Sequence, residues 1–387
     1  MKIALVSNIY AHGKILQEIG TPLLLAAETL QEIERIDVYT HLLTGGKIGF
    51  TKKVNIIPII DPDRPSSYVE LHRGIVNGIY DKVVVNSMPT SQGNKNIANL
   101  LFLVMPIIWA RIYKINVSVL YHNSPYLNDI RKLGYSNAVD TFRSSFIKIV
   151  ERMMFSSLHV FFLLRQYAER IKKKMPNAKV GWLRPGGITG FTTLYLNNAL
   201  NSEILVRKTN RGIPVVLIYG SWGPQKDIAT ALEAVKMTKG VFRYRLVVAG
   251  DVNLHFPTYT KKFESDLDNY KEFIDERVGY VDESELYSIF INTDIIILPY
   301  NSPGGFSGVM SISMLFGLHI VVPEFDEYKE QASGYRRIHF IPKNFNSNDI
   351  AKAIEEIIKK EDYSSGFIIR PAEEFKSFVA EMKKLLD

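Results

Sequence analysis

Cysteine is absent from this 387-residue chain. Its absence excludes disulfides, thiolate metal sites and cysteine nucleophiles together. Long apolar runs are also missing. The longest, residues 100–110, contains Pro106 and is closed by Arg111 and Lys114, so it is too short to span a membrane. The amino terminus turns polar after six residues, and no secretory signal is expected. No Gly-x-Gly-x-x-Gly follows the first strand of either half, which argues against an NAD-dependent enzyme. Zinc spacing, a recognition helix and aromatic RNA-binding signatures are lacking as well, so nucleic acid is not an expected partner. Neither a short-period repeat nor a low-complexity tract occurs.

What is present is a composition 46% apolar and 22% charged, that of a soluble globular protein long enough for two domains. The net charge of +7 is unevenly spread. Residues 1–190 hold 24 Lys/Arg against 13 Asp/Glu, and the remainder holds 23 against 27. A basic first half and a mildly acidic second half suggest domains that meet different partners, with anionic lipid or a phosphorylated acceptor on the basic side.

Short apolar runs alternate with helix-like segments throughout. Strands are expected at 2–7, 37–41, 54–60, 82–86, 117–122, 158–164 and 179–184, with helices at 21–34, 68–79, 96–113, 138–155 and 165–174 between them. Residues 186–212 lack periodicity and read as a linker. The alternation restarts with strands at 213–219, 244–250, 278–281 and 294–300 and helices at 228–239 and 259–270. This is the signature of parallel sheets covered on both faces, here two doubly wound α/β domains with a ligand cleft at their carboxyl edges.

One stretch organises the second half. An apolar run ends near Leu298, and Gly304, Gly305, Phe306, Ser307 and Gly308 follow before a helix-like segment begins. Strand, glycine-rich turn and helix place bare N–H groups and a helix N-terminus together, an anion site that can hold a diphosphate without any charged side chain. The alternative is a tight turn and nothing more.

Four landmarks then fall in register: Gly220 with Lys226, Leu246-Val-Val-Ala-Gly250, Val278-Gly-Tyr-Val-Asp-Glu-Ser-Glu-Leu286, and Asp294-Ile-Ile-Ile-Leu-Pro299 running into the glycine loop. With Leu5-Val-Ser-Asn8, His122 and Arg184-Pro-Gly-Gly187 in the first half, the chain resembles a glycosyltransferase of family 4. The resemblance covers about residues 1–360 and implies the GT-B fold, two Rossmann-like domains over residues 1–190 and 191–370. A C-terminal helix, 371–387, crosses back to the first domain in relatives. It also implies a nucleotide sugar as donor substrate, a glycan or lipid-linked acceptor, a retaining mechanism, and neither a metal nor a further cofactor.

Two departures stand out. Ser221 occupies the position of the family's second-domain arginine, and Gly304 and Ile312 occupy those of its paired glutamates. The second glutamate grips ribose in the family, so the donor nucleotide stays open.

The resemblance assigns Lys226 and the N–H groups of Gly304–Gly308 to the leaving diphosphate. His122 would orient a sugar hydroxyl or carry charge. Gly220, Ser221, Gly250, Tyr280, Val281 and Ser311 complete the donor side, and Gly13 lies in a loop toward phosphate or acceptor. Glu324 and Glu330 are further candidates. The helix at 96–113 is either core or, with Arg111 and Lys114, a surface that docks on an anionic membrane from the cytoplasmic side. A catalytically silent nucleotide- or carbohydrate-binding protein is the alternative function, favoured by the missing glutamates. An epimerase or phosphorylase on the same fold is a further one.

Overall fold

The computed structural model describes residues 1–7, 20–41, 52–61, 64, 66–87, 96–122, 124, 127, 138–184, 205–207, 212–253, 256–281, 283–360, 367–369 and 371–386. The chain divides into two compact units. Unit 1 holds Met1–Arg131, Tyr135–Thr193 and Glu373–Asp387, and unit 2 holds Lys132–Gly134 and Leu194–Ala372.

Unit 1 is built on seven strands: β1 (Lys2–Val6), β2 (Arg35–His41), β3 (Val54–Ile60), β4 (Lys82–Ser87), β5 (Val117–Tyr121), β6 (His159–Phe162) and β7 (Val180–Trp182). All pair in parallel, in the order β3-β2-β1-β4-β5-β6-β7. Five helices connect them: α1 (Gly20–Thr29), α2 (Ser66–Asn77), α3 (Asn96–Arg111), α4 (Ala138–Ser157) and α5 (Arg165–Lys174). All five residues of β5 are buried, which explains why its sequence reads as a continuous apolar run rather than an alternating one. Helix α3 is core: Phe102, Leu103, Met105, Ile107 and Trp109 are all buried. Its apolarity therefore serves packing, the first of the two readings given for this helix. The C-terminal helix (Pro371–Leu386) also belongs to this unit. It buries Phe375, Phe378, Met382 and Leu385, and its end lies against Ile3, Leu5, Leu23 and Val84. Glu381 accepts from the Arg184 N–H at 2.9 Å and Lys383 pairs with Glu32 at 3.3 Å.

Unit 2 repeats the plan. Its strands are β8 (Leu205–Arg207), β9 (Val215–Tyr219), β10 (Arg245–Ala249), β11 (Glu276–Val278), β12 (Ile295–Ile297), β13 (His319–Pro323), β14 (Ile338–Ile341) and β15 (Phe367–Ile369). Six of them form a parallel sheet in the order β11-β10-β9-β12-β13-β14. Its helices are α6 (Ile228–Lys239), α7 (Thr260–Asn269), α8 (Glu283–Ile291), α9 (Gly308–Leu315), α10 (Asp326–Gln331) and α11 (Ser347–Lys359). Start signals are visible where these begin. Asp227 caps α6 by accepting from the Thr230 N–H, and Asn346 with Asp349 forms a capping box on α11. Among the described residues, no helix is long and apolar enough to cross a membrane.

Two expectations change. The stretch read as a linker without periodicity contains β8, which pairs antiparallel with β15. The strand expected at 278–281 lies at 276–278 instead, so Gly279, Tyr280 and Val281 follow its end.

In each sheet the strand order reverses beside the first strand: β1 pairs with both β2 and β4, and β9 with both β10 and β12. Helices must leave such a pair on opposite faces, so the carboxyl ends there part and form a ligand crevice. In unit 2 the two turns at this point are held very close. Gly250 adopts φ +100°, and a Cβ on it would lie 1.9 Å from the Gly220 carbonyl oxygen. Only glycine fits there. A Gly250→Ala substitution is expected to cost at least about 2 kcal/mol and to lower the thermal unfolding midpoint. Gly240→Ala, whose Cβ would meet nothing within 4 Å, should leave the midpoint nearly unchanged.

Candidate functional site

The turn leaving β9 begins at Gly220 and Ser221 and closes on Lys226. The Lys226 ammonium donates to the Ser221 carbonyl at 2.7 Å, and a Cβ on Gly220 would come within 2.7 Å of the same nitrogen. Glycine at 220 thus leaves room for the lysine to fold back along the turn. The ammonium also lies 5.8 Å from the centre of the Trp222 ring and 5.5 Å from that of Tyr300, within cation–π range of both. Burial against these rings pulls its pKa from 10.5 down to about 8. It remains charged at neutral pH and only partly hydrated. Such a cation gains more from a ligand anion than a solvated surface lysine would.

This turn is joined to its neighbours. Trp222 donates its N–H to the Asp251 carbonyl at 2.8 Å and accepts from the Asn253 N–H at 2.7 Å, which ties it to the turn after β10. Asp227 donates its N–H to the Pro299 carbonyl at 2.8 Å, and Asn301 donates to the Gln225 carbonyl at 3.1 Å. The loop after β12 is therefore held beside Lys226.

In that loop Gly305 adopts φ +86°, and Ser307 caps α9 by accepting from the Met310 N–H at 3.2 Å. The Tyr300 hydroxyl lies 3.1 Å from that of Ser307. Gln331, at the end of α10, clamps the turn. Its Oε1 accepts from the Ser307 N–H at 3.0 Å, and its Nε2 donates to the Ser307 carbonyl at 2.7 Å and the Ser311 hydroxyl at 2.8 Å. The expected row of open N–H groups is corrected at two positions. Ser307 is already engaged by Gln331, and the Gly304 N–H points to the Tyr328 hydroxyl at 3.4 Å. The groups left for a ligand are those of Gly305 and Phe306 and the helix-end N–H groups of Gly308 and Val309.

Ser311 is fully buried and serves the Gln331 clamp, so it holds the loop instead of facing a donor. Ile312 is also fully buried. The position that carries a glutamate in the family pattern packs into the core here. Tyr280 is exposed and Val281 buried just past β11, on the same sheet edge. Glu324 pairs with Lys329 at 2.9 Å. Among the described residues, the buried Ser302 hydroxyl and Gln225 Oε1, in the two joined turns, have no hydrogen-bond partner.

Unit 1 carries a second polar cluster at its own point of strand reversal. Ser7 follows β1, Asn86 lies near the end of β4 and His122 follows β5. The Asn86 amide donates to the Ser7 hydroxyl at 2.9 Å, and its carbonyl lies 2.6 Å from His122 Nε2. With the amide so placed, His122 must donate from Nε2, which leaves Nδ1 as an acceptor. Burial holds its pKa down at about 4, so the ring is neutral at physiological pH. Of the two expected roles, orienting a hydroxyl is supported and carrying charge is not. Gly13 lies outside the described residues.

Tyr300, Gln331 and Asn86 were missed in the sequence. Asn86 had a readable signal, a polar residue closing the apolar run at 83–85. Tyr300 and Gln331 act through contacts that no local pattern announces. Among the described residues, no cluster of three or more His, Asp or Glu side chains is placed to hold a metal.

Comparison with known proteins agrees with this geometry. Residues 203–384 match the family model described as Glycosyl transferases group 1. Sucrose-phosphate synthase from Thermosynechococcus elongatus has the same fold with a TM-score of 0.68 at 14% identity, over 100% of this chain and 95% of that one. WaaG, a glycosyltransferase involved in lipopolysaccharide biosynthesis, gives 0.62 at 14% identity over 99% and 98%. HepE of Anabaena, in complex with UDP and glucose, gives 0.61 at 13% identity over 100% and 95%. No curated protein matches the sequence.

The lysine sets a pH signature. Its pKa is lowered, so it is charged below about 8 and neutral above. Affinity for a nucleoside diphosphate, measured by calorimetry, should fall as pH rises through about 8, well before an ordinary lysine loses its proton. In Lys226→Arg the affinity should stay level to pH 10, and in Lys226→Met this step should vanish.

Proposed function

We propose that the chain is a glycosyltransferase of the group 1 type, whose family model residues 203–384 match, and that it moves a sugar from a nucleotide sugar to a hydroxyl of a glycan or lipid-linked glycan, with retention and without a metal. The observation that carries this reading is the backbone bridge that holds Lys226 against Tyr300, at the start of the loop that leads to the glycines, at the point of strand reversal in unit 2. In the transfer, the bond from the sugar's anomeric carbon to the diphosphate oxygen breaks and a bond to the acceptor oxygen forms. The acceptor proton passes to the departing phosphate. Negative charge grows on the diphosphate as this bond breaks. A fixed ammonium and preorganised N–H dipoles stabilise that charge without rearranging. These groups supply the positive potential that a metal would otherwise provide.

His122 is assigned a sugar hydroxyl, with the neutral Nδ1 accepting from it and Asn86 fixing the tautomer. Because its pKa is near 4, turnover should show no His122-dependent step between pH 5 and pH 7. HepE has been crystallised with UDP-glucose, so UDP-sugars are the first donors to try, with GDP-, ADP- and dTDP-sugars beside them. The buried Ile312 leaves ribose to other contacts, with backbone groups after β11 the candidates.

The reading is tested by thermal shift with UDP, GDP, ADP and dTDP. At least one should raise the unfolding midpoint by mass action, and no response to any of them overturns the proposal. With the matching donor, Lys226→Ala should lower kcat/KM about 100-fold, while added chelator should leave turnover unchanged. Binding without sugar release from any matching donor would identify a silent nucleotide-binding protein instead.

A further inference from the structure

The carboxyl edge of unit 2 carries an acid that the transfer chemistry does not use. With β9 taken as the first strand, the order β11-β10-β9-β12-β13-β14 is 3-2-1-4-5-6. In doubly wound sheets of this order the diphosphate of a nucleotide lies at the turn after the first strand. An acidic residue farther along the chain accepts from the ribose 2′-hydroxyl. In unit 2 the first turn is the one that closes on Lys226. The next strand in the chain, β10, lies beside β9 and ends at Ala249. Asp251 stands two residues past that end.

Asp251 is held against the lysine turn. Its carbonyl accepts from the Trp222 N–H at 2.8 Å, and the Trp222 carbonyl accepts from the Asn253 N–H at 2.7 Å. Trp222 and Val252 so form a parallel bridge. The two turns are thereby set one strand spacing apart, about 4.8 Å. Ser221, just before Trp222, takes the Lys226 ammonium on its carbonyl at 2.7 Å. A cation suited to the diphosphate and a carboxylate suited to the ribose therefore stand on neighbouring turns of one edge.

The carboxylate is open to a ligand. Asp251 is exposed, and its Oδ1 accepts from the Val252 N–H at 2.7 Å. Among the described residues, no cation pairs with it and no donor reaches Oδ2. Asp227, the other acid of these two turns, is spent on capping α6 through the Thr230 N–H and hydroxyl. An ionised carboxylate can only accept, so it calls for a ligand O–H or N–H and repels phosphate. On α9, the buried Ile312 offers a ribose no polar side chain.

We propose that Asp251 accepts a hydrogen bond from the ribose 2′-hydroxyl of the donor nucleotide and makes the site selective for ribonucleotides over their 2′-deoxy forms. This rests on the proposed function, because it takes a nucleotide sugar as the donor.

The test is calorimetry of the full chain with UDP, GDP and ADP, with the 2′-deoxy form of whichever binds, and with inorganic pyrophosphate. The ribonucleotide should bind about 30-fold more tightly than its 2′-deoxy form. Asp251→Ala should remove that difference by weakening the ribonucleotide alone, and pyrophosphate affinity should not fall. Asp251→Asn keeps an oxygen for the Val252 N–H and should lose part of the same selectivity with the turn undisturbed. A residue that only held the turn would matter to pyrophosphate too, so weaker pyrophosphate binding in both variants overturns the proposal. Three further outcomes also overturn it: a 2′-deoxy form that binds the unchanged chain as tightly, variants that bind the ribonucleotide as before, and equal losses on both forms. The last would place the contact on the base. Each of these leaves the transferase reading standing, whereas failure of every nucleoside diphosphate to bind overturns both.

Discussion

A lysine ammonium is costly to withdraw from water, and the carboxyl edge of the second sheet is arranged around one that has been partly withdrawn. Lys226 keeps its charge because the Ser221 carbonyl accepts from it and two aromatic rings face it. Its position depends in turn on Gly220 having no side chain, and the close approach of the two turns depends on Gly250 having none. The loop after β12 is fixed to this turn through Asp227 and Asn301. A group so placed needs little further ordering when an anion arrives, which is the condition under which a fixed charge aids catalysis most.

The two polar clusters have opposite characters although they occupy equivalent places in their sheets. In unit 2 the loop is glycine-rich, cationic and held by Gln331 and Tyr300. In unit 1 the cluster is neutral, a relay from Ser7 through Asn86 to His122 in which burial keeps the ring uncharged. The same sheet plan yields both because the ends of the strands, and not the sheets themselves, carry the difference.

Much of this architecture is legible in the sequence. Apolar runs between turn residues mark strands and helical spacing marks helices, so β3, α5 and α6 fall at their expected boundaries. The strand-end landmarks are legible too, because glycine and polar residues interrupt those runs where the chain leaves the sheet. Contacts between distant segments are not legible. The pairing of β8 with β15 has no local period, and Gln331 reaches Ser307 from another helix. Hydropathy alone leaves α3 open, since an apolar segment followed by basic residues fits either core or surface, and the burial of Phe102, Leu103, Met105, Ile107 and Trp109 decides for core.

The burial of Ile312 limits what can stand there. A glutamate at this position would place a carboxylate in an apolar interior, at a cost of several kcal/mol. Gln331 meanwhile holds the turn through Ser307 and Ser311. The same packing that steadies the loop thus closes this position to a charged side chain.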